Sequence, residues 1–312
     1  MWRQKMSKIL KTRFGAVAGA LLCTLLWGTA FPVIKLSYSR INIQSSDVGS
    51  QILFAGQRFF LAGVMVFAFC LIFRRKSLKI PRNAIVSVAS LGLVQTAAQY
   101  LFSYTGLALT TGTKTSVITA CSAFFSVLLA PIFFKGEKLT PLKLLGCGVG
   151  FLGIVIINLS GLSGGFSLGE ALVLISALCS GFGSFLSKVS AGRCDAFAAT
   201  AYQLLLGGGV LIVVGVLLGG RISYQNIQGL ALLFYLAFVS AAAFALWTVL
   251  LGLHSVGRIC IFNLLIPIFG TVWSGILLGE EVLTVQNFIS LALVSAGILI
   301  VNLHTGEKKN GA

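Results

Sequence analysis

The chain has 312 residues, of which 57% are hydrophobic and only 10% charged, where a soluble domain carries roughly a quarter. So much apolar surface excludes an ordinary soluble fold and makes the bilayer the expected solvent for most of the chain. The formal net charge is +16, but the basic residues fall between apolar runs rather than on one face of a soluble domain, which reads as membrane topology and excludes nucleic acid as a partner.

Apolar runs of about 20 residues, the length needed to span a bilayer, fall at 14–36, 51–73, 84–107, 114–134, 140–159, 167–188, 196–218, 228–252, 258–278 and 284–303. A basic tail over 1–13 precedes the first run. That run continues to Leu36, too long for a cleaved signal segment, so a retained span is expected. Connections are short and leave no room for a soluble domain, and 304–312 forms a polar tail. The expected fold is therefore all-α and integral to the membrane, with ten transmembrane helices. With the N-terminal tail inside, the inside segments carry 18 Lys and Arg and the outside segments four, while Arg58 falls within the second run. This asymmetry predicts a multi-pass plasma (inner) membrane protein with both termini cytoplasmic. Its seven cysteines form no C-x-x-C pair and its two histidines stand apart, so neither a metal site nor a cofactor is expected.

The chain also repeats itself. Glu137–Leu159 and Glu281–Leu303, 144 residues apart, are identical at eight of 23 positions, among them Glu137/Glu281, Thr140/Thr284, Gly153/Gly297 and Asn158/Asn302. At an offset of 153, Leu25, Gly28, Lys35 and Ser37 match Leu178, Gly181, Lys188 and Ser190. At 146, Ala55, Gln57, Gly63 and Val64 match Ala201, Gln203, Gly209 and Val210. Matches in order in three pairs of runs predict two five-helix repeats, 14–160 and 161–303. Because five is odd, the second enters the membrane from the opposite side, an inverted duplication of the kind that builds transporters around a central site.

Three stretches, Leu25–Lys35 (LLWGTAFPVIK), Pro131–Thr140 (PIFFKGEKLT) and Leu277–Thr284 (LLGEEVLT), with the G-I-x-I-x-N-L ending that follows each corner, resemble the EamA type of the drug/metabolite transporter superfamily. The resemblance covers essentially the whole chain. It implies export or exchange of small metabolites by alternating access around a central cavity, and it leaves the substrate unnamed.

Polar and aromatic stripes in otherwise apolar runs mark where such a cavity is expected. The first run offers Trp27 and Phe31, with Gly28 and Pro32 as hinge candidates. In the third, Gln95 and Gln99 recur at helical spacing beside Tyr100 and Tyr104. The fourth adds Thr119, the sixth Ser184 with the hinge candidate Gly181, the eighth Phe244 and Trp247, and the ninth Asn263 one turn before Pro267. Arg58 reads either as a snorkelling side chain or as an attractor for a substrate carboxylate. All seven acidic residues lie in loops or at run ends, so a buried-carboxylate proton relay has no carrier and a neutral or zwitterionic solute fits best. The fifth and tenth runs, almost without polar stripe, read as peripheral scaffold available for a homodimer interface. An integral-membrane enzyme would need clustered His, Asp or Glu, and two separated histidines do not supply it. A membrane scaffold without transport is the remaining class; it is separated by whether the Gln95/Gln99/Tyr100 stripe faces water. A bulky residue at Gly28 is expected to abolish transport without loss of expression, read by flux against immunoblot.

Overall fold

The computed structural model of the chain describes residues 8–110, 112–135, 137–157, 166–224, 226–279 and 284–303. Every regular element among them is helical. We number the helices α1 (Arg13–Arg40), α2 (Val48–Phe73), α3 (Arg82–Leu109), α4 (Gly112–Phe133), α5 (Pro141–Ile157), α6 (Leu168–Arg193), α7 (Ala196–Leu217), α8 (Ile227–Leu253), α9 (Val256–Leu278) and α10 (Val285–Leu303). All but α4 and α5 are long and apolar enough to cross a membrane, which makes eight such helices; α4 and α5 carry the shorter apolar stretches Val117–Phe133 and Pro141–Ile156.

Between the apolar runs, polar residues act as helix caps, which explains where the helices begin. The Thr12 hydroxyl accepts from the Gly15 N–H at 3.0 Å, the Asp47 carboxylate from Ser50 at 2.9 Å and the Asn226 amide oxygen from Gly229 at 2.8 Å. Ser167 and Glu170 form a full capping box at the start of α6. Asp195 caps α7 through the Phe197 N–H and also binds Arg74 at 2.6 Å, tying α7 to the end of α2. Gly279 ends α9 in the left-handed region, φ 71°, where a side chain would be strained.

Hydrocarbon is as apolar as leucine, so little hydrophobic force draws helices together within it. Close backbone approach at small residues does that instead, and glycines mark each major contact. Helix α2 packs on α7, and α5 on α10. A Cβ on Gly56 would lie 2.6 Å from the Ile212 nitrogen, and one on Gly208 would lie 2.3 Å from the Phe60 nitrogen. Likewise Gly63 faces Leu205 and Gly215 faces Leu53. On α5 and α10, Gly153 meets the Ser290 carbonyl and Gly297 meets the Gly146 carbonyl. The Ser290 hydroxyl also donates to the Gly153 carbonyl at 2.6 Å. Large apolar side chains such as Ile72, Phe133, Leu152, Val216 and Leu299 are exposed on the outside of the bundle, as lipid contact requires.

The same geometry corrects the expectation for Gly28. A Cβ there falls 2.6 Å from the Phe269 Cβ, so a bulky side chain must push α9 off α1, and loss of folded protein is expected with loss of transport. A sharper test lies on α7, where Gly208 is pressed on Phe60 while nothing lies within 4 Å of a Cβ on Gly209. Gly208→Leu is expected to cost about 1–3 kcal/mol or more through overpacking. Gly209→Leu should be tolerated, and thermal unfolding of the two variants in detergent reads the difference.

Candidate functional site

Four helices bring an aromatic cluster together inside the bundle. Trp27 on α1 lies edge-on to Phe244 and Trp247 of α8, with ring centroids 5.3 and 5.1 Å away. Phe244 reaches Phe59 of α2 at 6.1 Å, Phe59 reaches Tyr100 of α3 at 4.3 Å, and Tyr104 follows Tyr100 at 6.3 Å. Five of the expected cavity residues thus share one place, and Phe59 joins them. Trp247 is 2% exposed, so its ring packs inside the bundle and does not serve as an interfacial anchor. The indole N–H of Trp27 and the side-chain carbonyl of Gln99, next in sequence to Tyr100, are buried with no hydrogen-bond partner.

Arg58 is buried beside this cluster, 3% exposed. Its Nε donates to the Ser240 hydroxyl of α8 at 2.8 Å, and its guanidinium lies 5.0 Å from the Phe59 ring centroid. It also interacts electrostatically with the hydroxyls of Tyr38, Tyr100 and Tyr104. Among the described residues the ion pairs are Arg74–Asp195, Lys114–Glu170 and Lys188–Glu137; Arg58 is in none of them. A charge at such depth costs at least about 2.5–3.5 kcal/mol, and the Ser240 hydroxyl and the Phe59 ring are the contacts its guanidinium makes against that cost. Snorkelling fails here, because the side chain turns into the bundle. The signal was present in the sequence as a lone arginine within an apolar run, but its surroundings come from other helices.

Gln95 is placed differently from the expectation. Its side-chain carbonyl accepts from Ser187 of α6 and from the Gln203 amide of α7, each at 3.2 Å, and it packs so closely on Gly183 that a Cβ there would lie 2.6 Å from the Gln95 Cβ. It joins α3 to α6 and α7, from within a π-helical stretch over Gly92–Ala98. Phe31 also stands apart from the cluster: it is 55% exposed, beside Gly270 of α9.

A second group forms around α9. This helix is interrupted by a 3₁₀ turn over Ile261–Leu264, the turn before Pro267, as the missing N–H and ring of a proline dictate. The Asn263 side-chain carbonyl in that turn is buried without a partner. Ser184 of α6 is buried and donates to the Ser180 carbonyl at 3.2 Å, and Thr119 on α4 is half-buried. Pro32 is buried within an uninterrupted α1. A Cβ on Gly181 would lie 2.8 Å from the Phe125 Cβ and 3.3 Å from the Ser126 nitrogen, as one on Gly28 would press on Phe269 and Gly270.

At one end of the bundle Glu137, which the sequence marks only as a repeated corner, is 7% exposed. Its carboxylate accepts from Lys188 at 2.8 Å and from the Val256 and Gly257 N–H groups at 2.7 and 3.3 Å. Lys188 also donates to the His254 carbonyl at 2.9 Å, and His254 Nε2 lies 2.7 Å from the Leu10 carbonyl. One carboxylate thus ties the corner after α4 to α6 and to the N-terminus of α9.

A multi-pass integral membrane protein with buried polar groups gathered between its helices has the form of a small-molecule transporter. The chain belongs to the EamA-like transporter family, whose model matches residues 14–159 and again 167–303. It is 28% identical to the uncharacterized transporter YvbV of Bacillus subtilis (strain 168), over 98% of this chain and 97% of that one. It is 26% identical to the uncharacterized inner membrane transporter YedA of Escherichia coli (strain K12), over 89% and 88%. The S-adenosylmethionine/S-adenosylhomocysteine transporter of Chlamydia muridarum is 23% identical over 83% of each chain. A solved crystal structure superposes over 94% of this chain and 98% of that chain with a TM-score of 0.78 at 18% identity, which establishes the fold alone. Family and relatives are transporters, not enzymes.

The two glutamines of α3 give the test of this geometry. Gln95→Leu strips two buried donors of their acceptor and is expected to cost roughly 1–3 kcal/mol. Gln99→Leu removes an unpartnered acceptor, so stability should stay within about 0.5 kcal/mol while transport falls. Thermal midpoints measured beside flux separate the two.

Proposed function

We propose that the chain is a secondary transporter. It exports or exchanges small metabolites, amino-acid-like or otherwise neutral or zwitterionic, drugs included, across the plasma membrane by alternating access. Its ten helices are then two inverted five-helix repeats, and the observation that carries this reading is an exchange of contacts. Advancing α1–α5 to α6–α10 turns the α1–α9 contact into α6–α4, α8–α1 into α3–α6 and α8–α2 into α3–α7, and each of these packs in the bundle. It also returns α2–α7 and α5–α10 to themselves. At residue level, Gly28 on Phe269 and Gly181 on Phe125 are one contact written twice, with Phe125 and Phe269 144 residues apart. The glycine contacts favour a different register for α2 and α7 from the 146 of the identity matches: Gly56/Gly208 and Gly63/Gly215 are each 152 apart. Arg58 then corresponds to Val210 rather than Leu204.

The two-fold arrangement supplies a mechanism in which one half rocks on the other around a fixed centre. The aromatic cluster on α1, α2, α3 and α8 is that centre. The Glu137–Lys188 contact is a lock at the cytoplasmic end, engaged in this structure. Its repeat counterparts are Lys35 and Glu281 at the outer end, of which Glu281 lies outside the described residues. Breaking one lock as the other forms exposes the centre to each side in turn. The relative named as an S-adenosylmethionine/S-adenosylhomocysteine transporter is consistent with an amino-acid-like solute.

The purified chain in proteoliposomes should show counterflow of at least one amino acid or amino-acid-like metabolite from a labelled panel, picked by metabolite profiling of overexpressing cells. A scaffold would show none. Glu137→Gln is expected to open the cytoplasmic end, read as faster labelling of Ser184→Cys from that side in a background lacking the seven native cysteines. Unchanged labelling would mean that the contact is no gate.

A further inference from the structure

We propose that Arg58 and Ser240 form an anion-binding subsite within the aromatic cluster, and that it takes the carboxylate of the transported solute. The inference rests on the transporter reading and names the chemistry of its site.

Arg58 is the eleventh residue of the 26 in α2, so about 16 Å of helix separates it from the start of that span, close to the middle of a bilayer core about 30 Å thick. A guanidinium held there is a site by default, because nothing in hydrocarbon compensates it and charged residues at that depth mark the path of a substrate. Its protein partners are too few for its chemistry. A guanidinium has five N–H donors arranged as a fork that fits a carboxylate on two bonds. Ser240 takes the Nε–H at 2.8 Å, and the Ser240 hydroxyl donates onward to the Leu236 carbonyl at 2.9 Å, which fixes its lone pair toward Arg58. That bond leaves the terminal fork for an occupant and sets its direction.

The architecture does not require the residue. Its counterpart on α7 is Val210, and the glycine contacts that join α2 to α7 continue on either side of it, at Gly56 and Gly63. A packing role would be met by an apolar side chain. The walls around it indicate what the carboxylate is attached to. Phe59, Tyr100, Phe244 and Trp27 form a continuous aromatic surface, suited to an apolar or aromatic body. The residue before Tyr100 is Gln99, whose carbonyl is buried without a partner, and the proposal assigns it as the acceptor for a donor on the same solute, such as an ammonium. Cation, aromatic wall and lone acceptor together describe a zwitterion or an aryl carboxylate.

Full-length protein in dodecyl maltoside tests the site without any flux, by quenching of intrinsic tryptophan fluorescence and by the shift in thermal midpoint. The probes are acetate, phenylacetate and L-phenylalanine, each paired with its neutral amide. The expected result is that phenylacetate or L-phenylalanine binds about ten- to hundredfold tighter than its amide, as a charge-assisted hydrogen bond implies. Arg58→Gln should erase that preference while amide binding is retained, Arg58→Lys should keep part of it, and Ser240→Ala, which frees the guanidinium, should reduce it several-fold. If Arg58→Gln does not elute as a folded species, the lysine and alanine variants carry the same comparison. Equal binding of acid and amide to the native chain, or a preference that survives Arg58→Gln, overturns the proposal. Loss of carboxylate binding when phosphatidylglycerol is added to the micelles would also overturn it, by assigning the cation to a lipid headgroup. Failure of the two readings is separable. Carboxylate binding without counterflow removes the transporter and keeps the site, whereas unaltered counterflow of a carboxylate solute in Arg58→Gln removes the site and keeps the transporter.

Discussion

Hydrocarbon gives helices neither water to bond nor a hydrophobic reason to associate, and this constraint shapes the whole molecule. Every backbone group of a span must be satisfied within its own helix, so all-helical structure follows directly. Association then falls to contacts that need surfaces to come very near. Gly56, Gly63, Gly208 and Gly215 let α2 and α7 touch backbone to backbone, and Gly153 and Gly297 do the same for α5 and α10. Leucine and phenylalanine fill the spaces between but do not choose which helices meet.

The same solvent makes each buried polar group expensive, so those that persist divide by what satisfies them. Gln95, Ser187 and Gln203 bond to one another and hold three helices, with the Gln203 side-chain carbonyl left without a partner. Glu137 is satisfied by a lysine and two backbone N–H groups and joins three segments at one end. Arg58, Gln99 and Asn263 retain capacity that the protein does not use. The first two groups account for cohesion between helices and at one end of the bundle. The third contains Arg58 and Gln99, on which the proposed carboxylate site rests.

The proposed transport cycle requires the bundle to move. The α9 break at Ile261–Leu264 and the π stretch of α3 at Gly92–Ala98 are where helical bonding is already irregular, so they bend at the smallest cost. Both flank the centre of the molecule: Asn263 lies in one, and Gln99 follows directly after the other. In these two places an irregular backbone stands in or next to an unpartnered side chain.

The sequence by itself determined the medium, the helices and their approximate ends, because hydropathy, charge and capping residues act locally. It also carried the repeat, in the matched corners and in Gly28 and Gly181. It listed most of the aromatic cluster, since Trp27, Tyr100, Tyr104, Phe244 and Trp247 stand out in apolar runs. Tertiary structure alone decided which of those residues meet. It turned Gln95 into a tie, because its partners Ser187 and Gln203 are 92 and 108 residues away on other helices. It gave Glu137 a role through Lys188 and Val256, which are 51 and 119 residues away. It also moved Arg58 from the margin of the reading to its centre. The fate of a buried charge depends on partners from other helices, and those partners are fixed only when the helices pack.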